Sequence, residues 1–414
     1  MVDREVFEII ALGGQGDGIA GDSAERTFVP FALPGEPWRK AGDAYVRDGA
    51  ASADRVAPAC RHFGSCGGCV AQHMAPALYG RWKRQILVDA LQAADINAVV
   101  APLAPMPPAS RRRIVLAALR LPEGVALGFH TRSSRRLLPI EMCTIADPMI
   151  TDALPALRQV AGRLLRHRDE MRMTVTRVDA GLDVAVEGGT RDIGAAERTA
   201  LADIIQQGRI LRLSVDGEPI ITRGDPFLTL GQVRVVPAPG VFLQALPAAE
   251  QQMVEIVSAA VGTAKAVADL FSGVGTFALP LAARARVLAI DSDAKALAAL
   301  DAGQRRVQGL KPIEVRERDL VREPLGRKEL EGFDAVVFDP PRAGAEAQAT
   351  MLAKSTVRTV IAVSCNPTTL ARDAALLLDG GYQLHSVTPI DQFLYANHLE
   401  AVAVFARPGK KKRG

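Results

Sequence analysis

The residues in this chain best suited to chemistry are its five cysteines, and their spacing divides them into one and four. Cys365 stands in Val363-Ser364-Cys365-Asn366-Pro367, at the carboxyl end of an apolar run that reads as a buried strand. Open α/β sheets bind ligands beyond the carboxyl ends of their strands, so a thiol there meets a crevice. A buried structural cysteine is the plain alternative. The chemistry that needs a thiolate in such a crevice is methylation at C5 of a pyrimidine. Carbon 5 of uracil is a poor nucleophile, but thiolate addition at C6 makes an enolate whose C5 can attack a methyl sulfonium. A general base must then remove the C5 proton so that the sulfur leaves. Glu400, in Asn397-His398-Leu399-Glu400 where the last strand begins, is the candidate base. A surface acid at a strand start is its ordinary alternative, and His398 is the less suitable base.

The other four, Cys60, Cys66, Cys69 and Cys143, have five, two and 73 residues between them. Four thiolates in a chain expected to be cytoplasmic point to a [4Fe-4S] cluster or to tetrahedral zinc. Zinc ribbons usually bring two Cys-x-x-Cys knuckles and only one is present, so the cluster is favoured and zinc stays open.

A nucleotide-type pocket is written around the run Asp269-Leu270-Phe271-Ser272-Gly273-Val274-Gly275-Thr276. Its glycines fall where a strand ends and a helix starts, so backbone can approach a ligand closely. Asp291 ends the next strand, where a carboxylate can accept from two ribose hydroxyls, and Asp319 ends the third, within reach of an adenine amino group. The same geometry serves dinucleotides and S-adenosylmethionine. Asp339-Pro340-Pro341-Arg342, ending the fourth strand, tilts the reading towards methyl transfer, and Arg342 in place of an aromatic counts against amino methylation. Gln244 and Asp339 are candidates for the polar edge of a flipped uracil.

Three parts are expected to position these groups. Residues 1–52 alternate apolar and polar residues between glycine turns, as a small β-barrel does. Residues 53–240 read as an α+β part, with a helix near Ala77 to Ala93 and strands at Arg113 to Leu121, Val125 to Arg132, Met173 to Val178, Leu182 to Glu187 and Arg209 to Val215. Residues 241–414 alternate short apolar strands with helices, the pattern of a doubly wound α/β sheet. The 414 residues, 48% hydrophobic and 23% charged, exclude a disordered chain, and a net charge of +4 does not by itself announce a nucleic-acid binder. No apolar stretch approaches the roughly 20 residues of a membrane span. The acidic start and the lack of a leader-like block lead us to expect a cytoplasmic monomer. Arg111, Arg112, Arg113, Arg132, Arg135 and Arg136 bracket one hairpin and are candidates for a phosphate-binding face, and Lys410 to Arg413 form a basic tail.

Together these motifs resemble the RNA uracil-5-methyltransferases, and within them the 23S ribosomal RNA branch that carries an iron-sulfur cluster. The cysteine spacing, the cofactor loop, Asp339 to Arg342, Ser364 to Pro367 and His398 to Glu400 occur in the family's order over essentially the whole chain. The resemblance implies a Rossmann-like class I methyltransferase domain, S-adenosylmethionine as donor, Cys365 as nucleophile and Glu400 as base. It implies Gln244, Phe271, Gly273, Gly275, Asp291, Asp319 and Asp339 in the pocket, and a TRAM-type, OB-like RNA-binding barrel at the amino terminus. Structured RNA is the implied partner, with 23S ribosomal RNA favoured, transfer RNA as the alternative substrate, and a non-catalytic RNA-binding protein as the reading from another class.

Overall fold

The computed structural model describes residues 6–408 except 22–24, 123, 133, 166–169 and 191, so the basic tail and the acidic start lie outside the described residues. Among the described residues six short strands come first: β1 (Val6–Glu8), β2 (Ala11–Leu12), β3 (Gly18–Ala20), β4 (Thr27–Val29), β5 (Pro37–Ala41) and β6 (Ala44–Arg47). They pair as two antiparallel sheets, β1-β5-β6 and β2-β3-β4, with no ladder joining the two among the described residues. Their core is small, built on Ile9, Ala20, Val29 and Ala32. Polar fastening supplements it. Glu36 is fully buried and accepts from Arg55, Trp38 and the amides of Leu33 and Ser52.

Helix α1 (Pro76–Gln92) follows the cysteine loop, and then comes a seven-stranded sheet. Its strands are β7 (Arg113–Leu121), β8 (Gly124–His130), β9 (Leu137–Pro139), β10 (Met171–Val178), β11 (Gly181–Glu187), β12 (Ile210–Val215) and β13 (Glu218–Thr222), in the order β13-β12-β11-β10-β7-β8-β9. Only β11 and β12 run parallel, because α4 (Ala195–Gln207) carries the chain back between them. Helices α2 (Pro148–Asp152), α3 (Leu154–Leu164) and α4 cover one face. The apolar stripe of α3, Leu154, Leu157, Val160, Ala161 and Leu164, is the reason: it repeats every three or four residues and is buried throughout.

The last part begins with the hairpin β14 (Leu228–Leu230) and β15 (Val233–Val235) and helix α5 (Pro247–Val261). Then β16 (Ala266–Leu270), α6 (Ala278–Leu281), β17 (Arg286–Asp291), α7 (Ala294–Gln304), β18 (Ile313–Glu317), α8 (Arg327–Leu330) and β19 (Ala335–Phe338) alternate. The alternation continues through α9 (Glu346–Ala353), β20 (Thr359–Ser364) and α10 (Pro367–Asp379) to β21 (Gln383–Ile390) and β22 (Glu400–Ala406). The sheet order is β18-β17-β16-β19-β20-β22-β21, parallel except for β22, which is antiparallel to both neighbours. Strands covered on both faces need continuous apolar runs, and Ala335-Val336-Val337-Phe338 is buried at every position. Each large side chain so buried contributes roughly 1.5–3 kcal/mol.

Helix α1 does not join the sheet nearest to it in sequence. Its Leu87 and Leu91, with Ile96 and Val100 beyond, enter the core between the last sheet and α9 and α10. The segment after it runs beside β21 through bridges Val100 to Val387 and Ala104 to Ile390. Residues 53–240 therefore feed two cores.

Candidate active site

Register builds the site. In the β20–β22 ladder Ser364 pairs with Ala401, so Cys365, one residue beyond, comes beside Glu400. Phe338 pairs with both Leu270 and Ala362, which brings Asp339 to the same sheet edge as the loop after β16 and the end of β20. That loop needs unusual backbone: Phe271, Gly273 and Gly275 all have positive φ. Phe271 is costly there, since a side chain in the left-handed region is strained by about 1–2 kcal/mol. A single cavity of 510 Å³ is lined by Gln244, Phe271, Gly273, Asp291, Asp319, Asp339, Cys365 and Glu400, with Phe242, Arg342 and Phe393 at its walls. Of the expected pocket residues Gly275 is not among the lining. A Cβ on it would come within 2.8 Å of Leu300, so its bareness serves the packing of α7.

The carboxylates around the loop are held by backbone amides. Asp291 accepts from Gly273 N at 2.8 Å with one oxygen and from Asp293 N at 2.8 Å with the other. A carboxylate offers about four acceptor sites, so room for hydroxyl donors remains. Asp319 accepts from the amides of Val321 and Arg322, capping the turn that follows it while lining the cavity. Asp269, fully buried, holds the amide of Ala278 at the start of α6.

Three of the lining side chains, Asp339, Gln244 and Glu400, are joined with Gln392 behind them in one chain of hydrogen bonds. Gln244 Nε2 donates to Asp339 Oδ2 at 2.7 Å, and Gln392 Nε2 donates to Gln244 Oε1 at 2.7 Å and to Glu400 Oε2 at 2.8 Å. Glu400 is 2% exposed, and its second oxygen has no partner among the described residues. Burial, then the negative charge of Asp339, holds the Glu400 carboxyl well above the usual range. Burial, with Asp291 nearby, pushes Asp339 up to about 7. The Cys365 thiol is pushed up to about 11 by burial and by Glu400 and Asp339, while Arg342 works the other way. Helix α10 also opposes the rise, because Cys365 sits at its amino end, where Asn366 caps it by accepting from Thr368 N at 3.1 Å. The cap is tied to the Asp339–Arg342 loop, since Asn366 Nδ2 donates to Arg342 O at 3.0 Å. A cation entering this group would favour the charged forms of the carboxyls and of the thiol alike.

Gln392 was not found from sequence. Its signal is weak, a polar residue in an aperiodic loop, and only the fold brings it between Gln244 and Glu400. Gln244 itself is set from across the molecule: buried Arg112 donates to Gln244 O at 2.8 Å and forms an ion pair with Glu250. This corrects the expected six-arginine face. Arg112 is consumed inside, Arg132 pairs with Asp17 at 2.7 Å, Arg111 and Arg113 line an inner cavity, and Arg135 and Arg136 stay exposed. Guanidinium groups drawn inward need partners, and Glu250 and Asp17 supply them to Arg112 and Arg132 while backbone carbonyls accept from Arg111 and Arg113.

The inner cavity, 390 Å³, is lined by all four remaining cysteines, Cys60, Cys66, Cys69 and Cys143, and by Arg111 and His398. Burial raises the thiols of Cys66, Cys69 and Cys143. Among the described residues no three His, Cys, Asp or Glu side chains converge closely enough to hold a single ion. Arg342 and Phe393 belong to the walls of both cavities.

The sheet order, the glycine loop after its first strand and the acids at successive strand ends define a class I methyltransferase-like α/β protein. Residues 237–407 match the family model tRNA (Uracil-5-)-methyltransferase. Over 416 residues, covering 99% of each chain, the protein is 47% identical to an RNA methyltransferase of Mesorhizobium japonicum. It is 30% identical to the 23S rRNA (uracil(1939)-C(5))-methyltransferase of Acinetobacter baylyi, over 97% of this chain and 95% of that one. Among solved structures, Pyrococcus abyssi tRNA (uracil-54, C5)-methyltransferase in complex with S-adenosyl-L-homocysteine shares the fold, with TM-score 0.75, 23% identity, and 97% and 99% of the two chains covered. The chain belongs to the RNA (uracil-5-)-methyltransferase family, and it is an S-adenosylmethionine-dependent enzyme acting on RNA. Among the described residues no helix is long and apolar enough to cross a membrane.

Proposed function

We propose that this enzyme methylates C5 of a uridine in 23S ribosomal RNA through a transient bond between Cys365 and C6 of the ring. The observation that carries the proposal is the β20–β22 register, which sets one thiol beside one buried carboxyl in a cavity that the glycine loop also lines. Phe271, Gly273, Asp291 and Asp319 would hold the donor, whose methyl sulfonium supplies the transferred group. Gly273 offers open space where a Cβ would meet nothing within 4 Å, which suits a ligand lying against the backbone. Gly275 would support that loop from behind. Asp339 and Gln244 would bind the uracil edge, with Gln244 fixed in orientation by its two partners. Cys365 sulfur adds to C6 and C5 takes the methyl group. Glu400 then accepts the C5 proton, the C–H electrons form the C5–C6 double bond, and the sulfur leaves with the C6–S pair.

The four clustered cysteines fit a [4Fe-4S] cluster better than zinc. Zinc needs every donor about 2.3 Å from one point, whereas a cubane takes one thiolate at each of four irons and tolerates a wider set around a shared cavity. Ribosomal rather than transfer RNA is favoured by the relative that shares 30% identity along nearly the whole chain. We assign residues 1–52 and 53–240 to RNA binding and to the cluster, and 241–414 to catalysis.

The test is covalent trapping. With 5-fluorouridine-substituted 23S transcript and S-adenosylmethionine, the enzyme should give a denaturation-resistant protein–RNA band. Cys365→Ala should give none, and Glu400→Gln should accumulate the band on ordinary transcript. Normal turnover by either variant would refute the mechanism, and faster reaction with transfer RNA would refute the substrate.

A further inference from the structure

Lys83 is fully buried, and no step above uses it. An ammonium has three donors, and all three here go to one loop, residues 391–399, which joins β21 to β22. Lys83 Nζ donates to Phe393 O at 3.0 Å and to His398 O, and it lies 3.0 Å from Asp391 Oδ1. One turn earlier on the same face of α1, Tyr79 donates to both oxygens of Asp391, at 2.9 and 2.7 Å, and accepts from Tyr395 N at 2.9 Å. The start, middle and end of the loop are thus fastened to a single helix. Next to Asp391 stands Gln392, which holds Glu400, and next but one after His398 comes Glu400 itself.

We propose that the Tyr79–Lys83–Asp391 cluster of α1 is a positioning device for proton removal, setting Gln392 so that Glu400 keeps one oxygen occupied and the other free. The reasoning is geometric. Glu400 Oε2 is taken by Gln392, and Oε1 has no partner among the described residues, so the direction of the base depends on where Gln392 stands. Gln392 in turn has both of its amide hydrogens committed, to Gln244 and to Glu400. The loop, with Tyr395 at positive φ and its carbonyl accepting from the amides of Val70 and Ala71, has no ladder of its own to hold such a geometry. The helix supplies it. Lys83 is the wrong residue for mere packing, since an apolar side chain of that volume would fill the space without the cost of burying an ammonium. Its use here follows from the need for three converging donors on backbone carbonyls and a carboxylate.

The inference rests on the covalent reading above, and its test separates the two. Addition of the thiol and methyl transfer need Cys365 and the donor, whereas only resolution of the methylated adduct needs Glu400. The double variant Lys83→Met with Asp391→Leu removes both charges together, so no unpaired ion is left buried, and circular dichroism and the unfolding temperature establish that it is folded before its kinetics are read. Tyr79→Phe is a milder single change. With full-length enzyme, methyl-labelled S-adenosylmethionine and 23S transcript, rapid quenching measures adduct formation and adduct decay separately. The double variant should form adduct within about threefold of the parent rate and resolve it at least tenfold more slowly, so that labelled adduct accumulates as in Glu400→Gln. Tyr79→Phe should slow resolution by a smaller factor in the same direction. Resolution at the parent rate in the double variant, or equal slowing of formation and resolution, overturns the positioning role and leaves a structural one. Absence of adduct even in Glu400→Gln overturns the covalent reading and this inference with it.

Discussion

Cys365 illustrates how one site can ask a group to be two things. The thiol is pushed up to about 11, first by burial and then by Glu400 and Asp339, yet nucleophilic attack needs the thiolate. Removing a neighbouring negative charge must lower the thiol. Glu400→Gln should therefore move the alkylation midpoint of Cys365 to lower pH, and Asp339→Asn should do the same, read by iodoacetamide labelling and peptide mass spectrometry across a pH series. An unchanged midpoint in both would mean that burial alone sets it. The acids respond to one another as well. Asp339 raises Glu400, so the same Asp339→Asn change should shift the rising limb of the pH–rate profile towards acid even as the rate itself falls.

At the level of elements, the loop between β16 and α6 separates two uses of glycine. Gly273 is needed for its φ of 54° and for the open space beside it. Gly275 is needed for its φ of 92° and because Leu300 and Leu279 leave no room for a methyl group. Gly273→Ala should cost only about 1–2 kcal/mol in stability but weaken S-adenosyl-L-homocysteine binding at least tenfold by calorimetry. Gly275→Ala should cost about 3 kcal/mol, strain and overpacking together, and lower the unfolding temperature by several degrees. Opposite rankings in the two measurements would reverse the assignment of the glycines. The loop 391–399 shows the same dependence on neighbours: β21 ends and β22 begins at the paired residues Ile390 and Glu400, but what lies between them is held by α1 and by the amides of Val70 and Ala71.

Considered as a whole, the molecule is held together by buried and part-buried ion pairs where its parts meet. Arg112–Glu250 joins the β7 edge to α5, Lys83–Asp391 joins α1 to the last sheet, and Arg132–Asp17 links the amino-terminal strands to the hairpin. Glu36 and Arg55 fasten the same strands to the segment before the cysteine loop. Burial, the largest single effect, pushes the Glu36 carboxyl up, but the Arg55 guanidinium and the Leu33 and Ser52 amides together outweigh it and hold the carboxyl at about 2. A depressed carboxyl stabilises fully above its unfolded value near 4.5 and loses that contribution as pH falls through about 2. About 3 kcal/mol should disappear over that range and be absent at every pH in Glu36→Gln, measured by denaturant unfolding as a function of pH. If the cysteine cavity holds iron, anaerobically purified protein should be brown, absorb near 400 nm and carry about four irons per chain. Colourless protein containing one zinc would refute the cluster.

Much of this was legible in the residues. Apolar runs doubly buried in a parallel sheet have a pattern of their own, so β16, β17, β19 and β20 were visible, and so were the acids and the thiol at their ends. The four spaced cysteines could be grouped by elimination, and the glycines by the turn they had to make. What the tertiary structure alone decided was adjacency between residues distant in sequence. That Cys365 and Glu400 stand side by side follows from the antiparallel register of β20 and β22, which no local pattern encodes. The fates of Arg112 and Lys83 were equally hidden: a charged residue on an apolar stripe, such as Lys83 between Tyr79 and Leu87, marks a partner to come without saying which. Local chemistry is written in side-chain type and period, while pairing across the fold depends on how separate surfaces exclude water together, and only the assembled chain settles that.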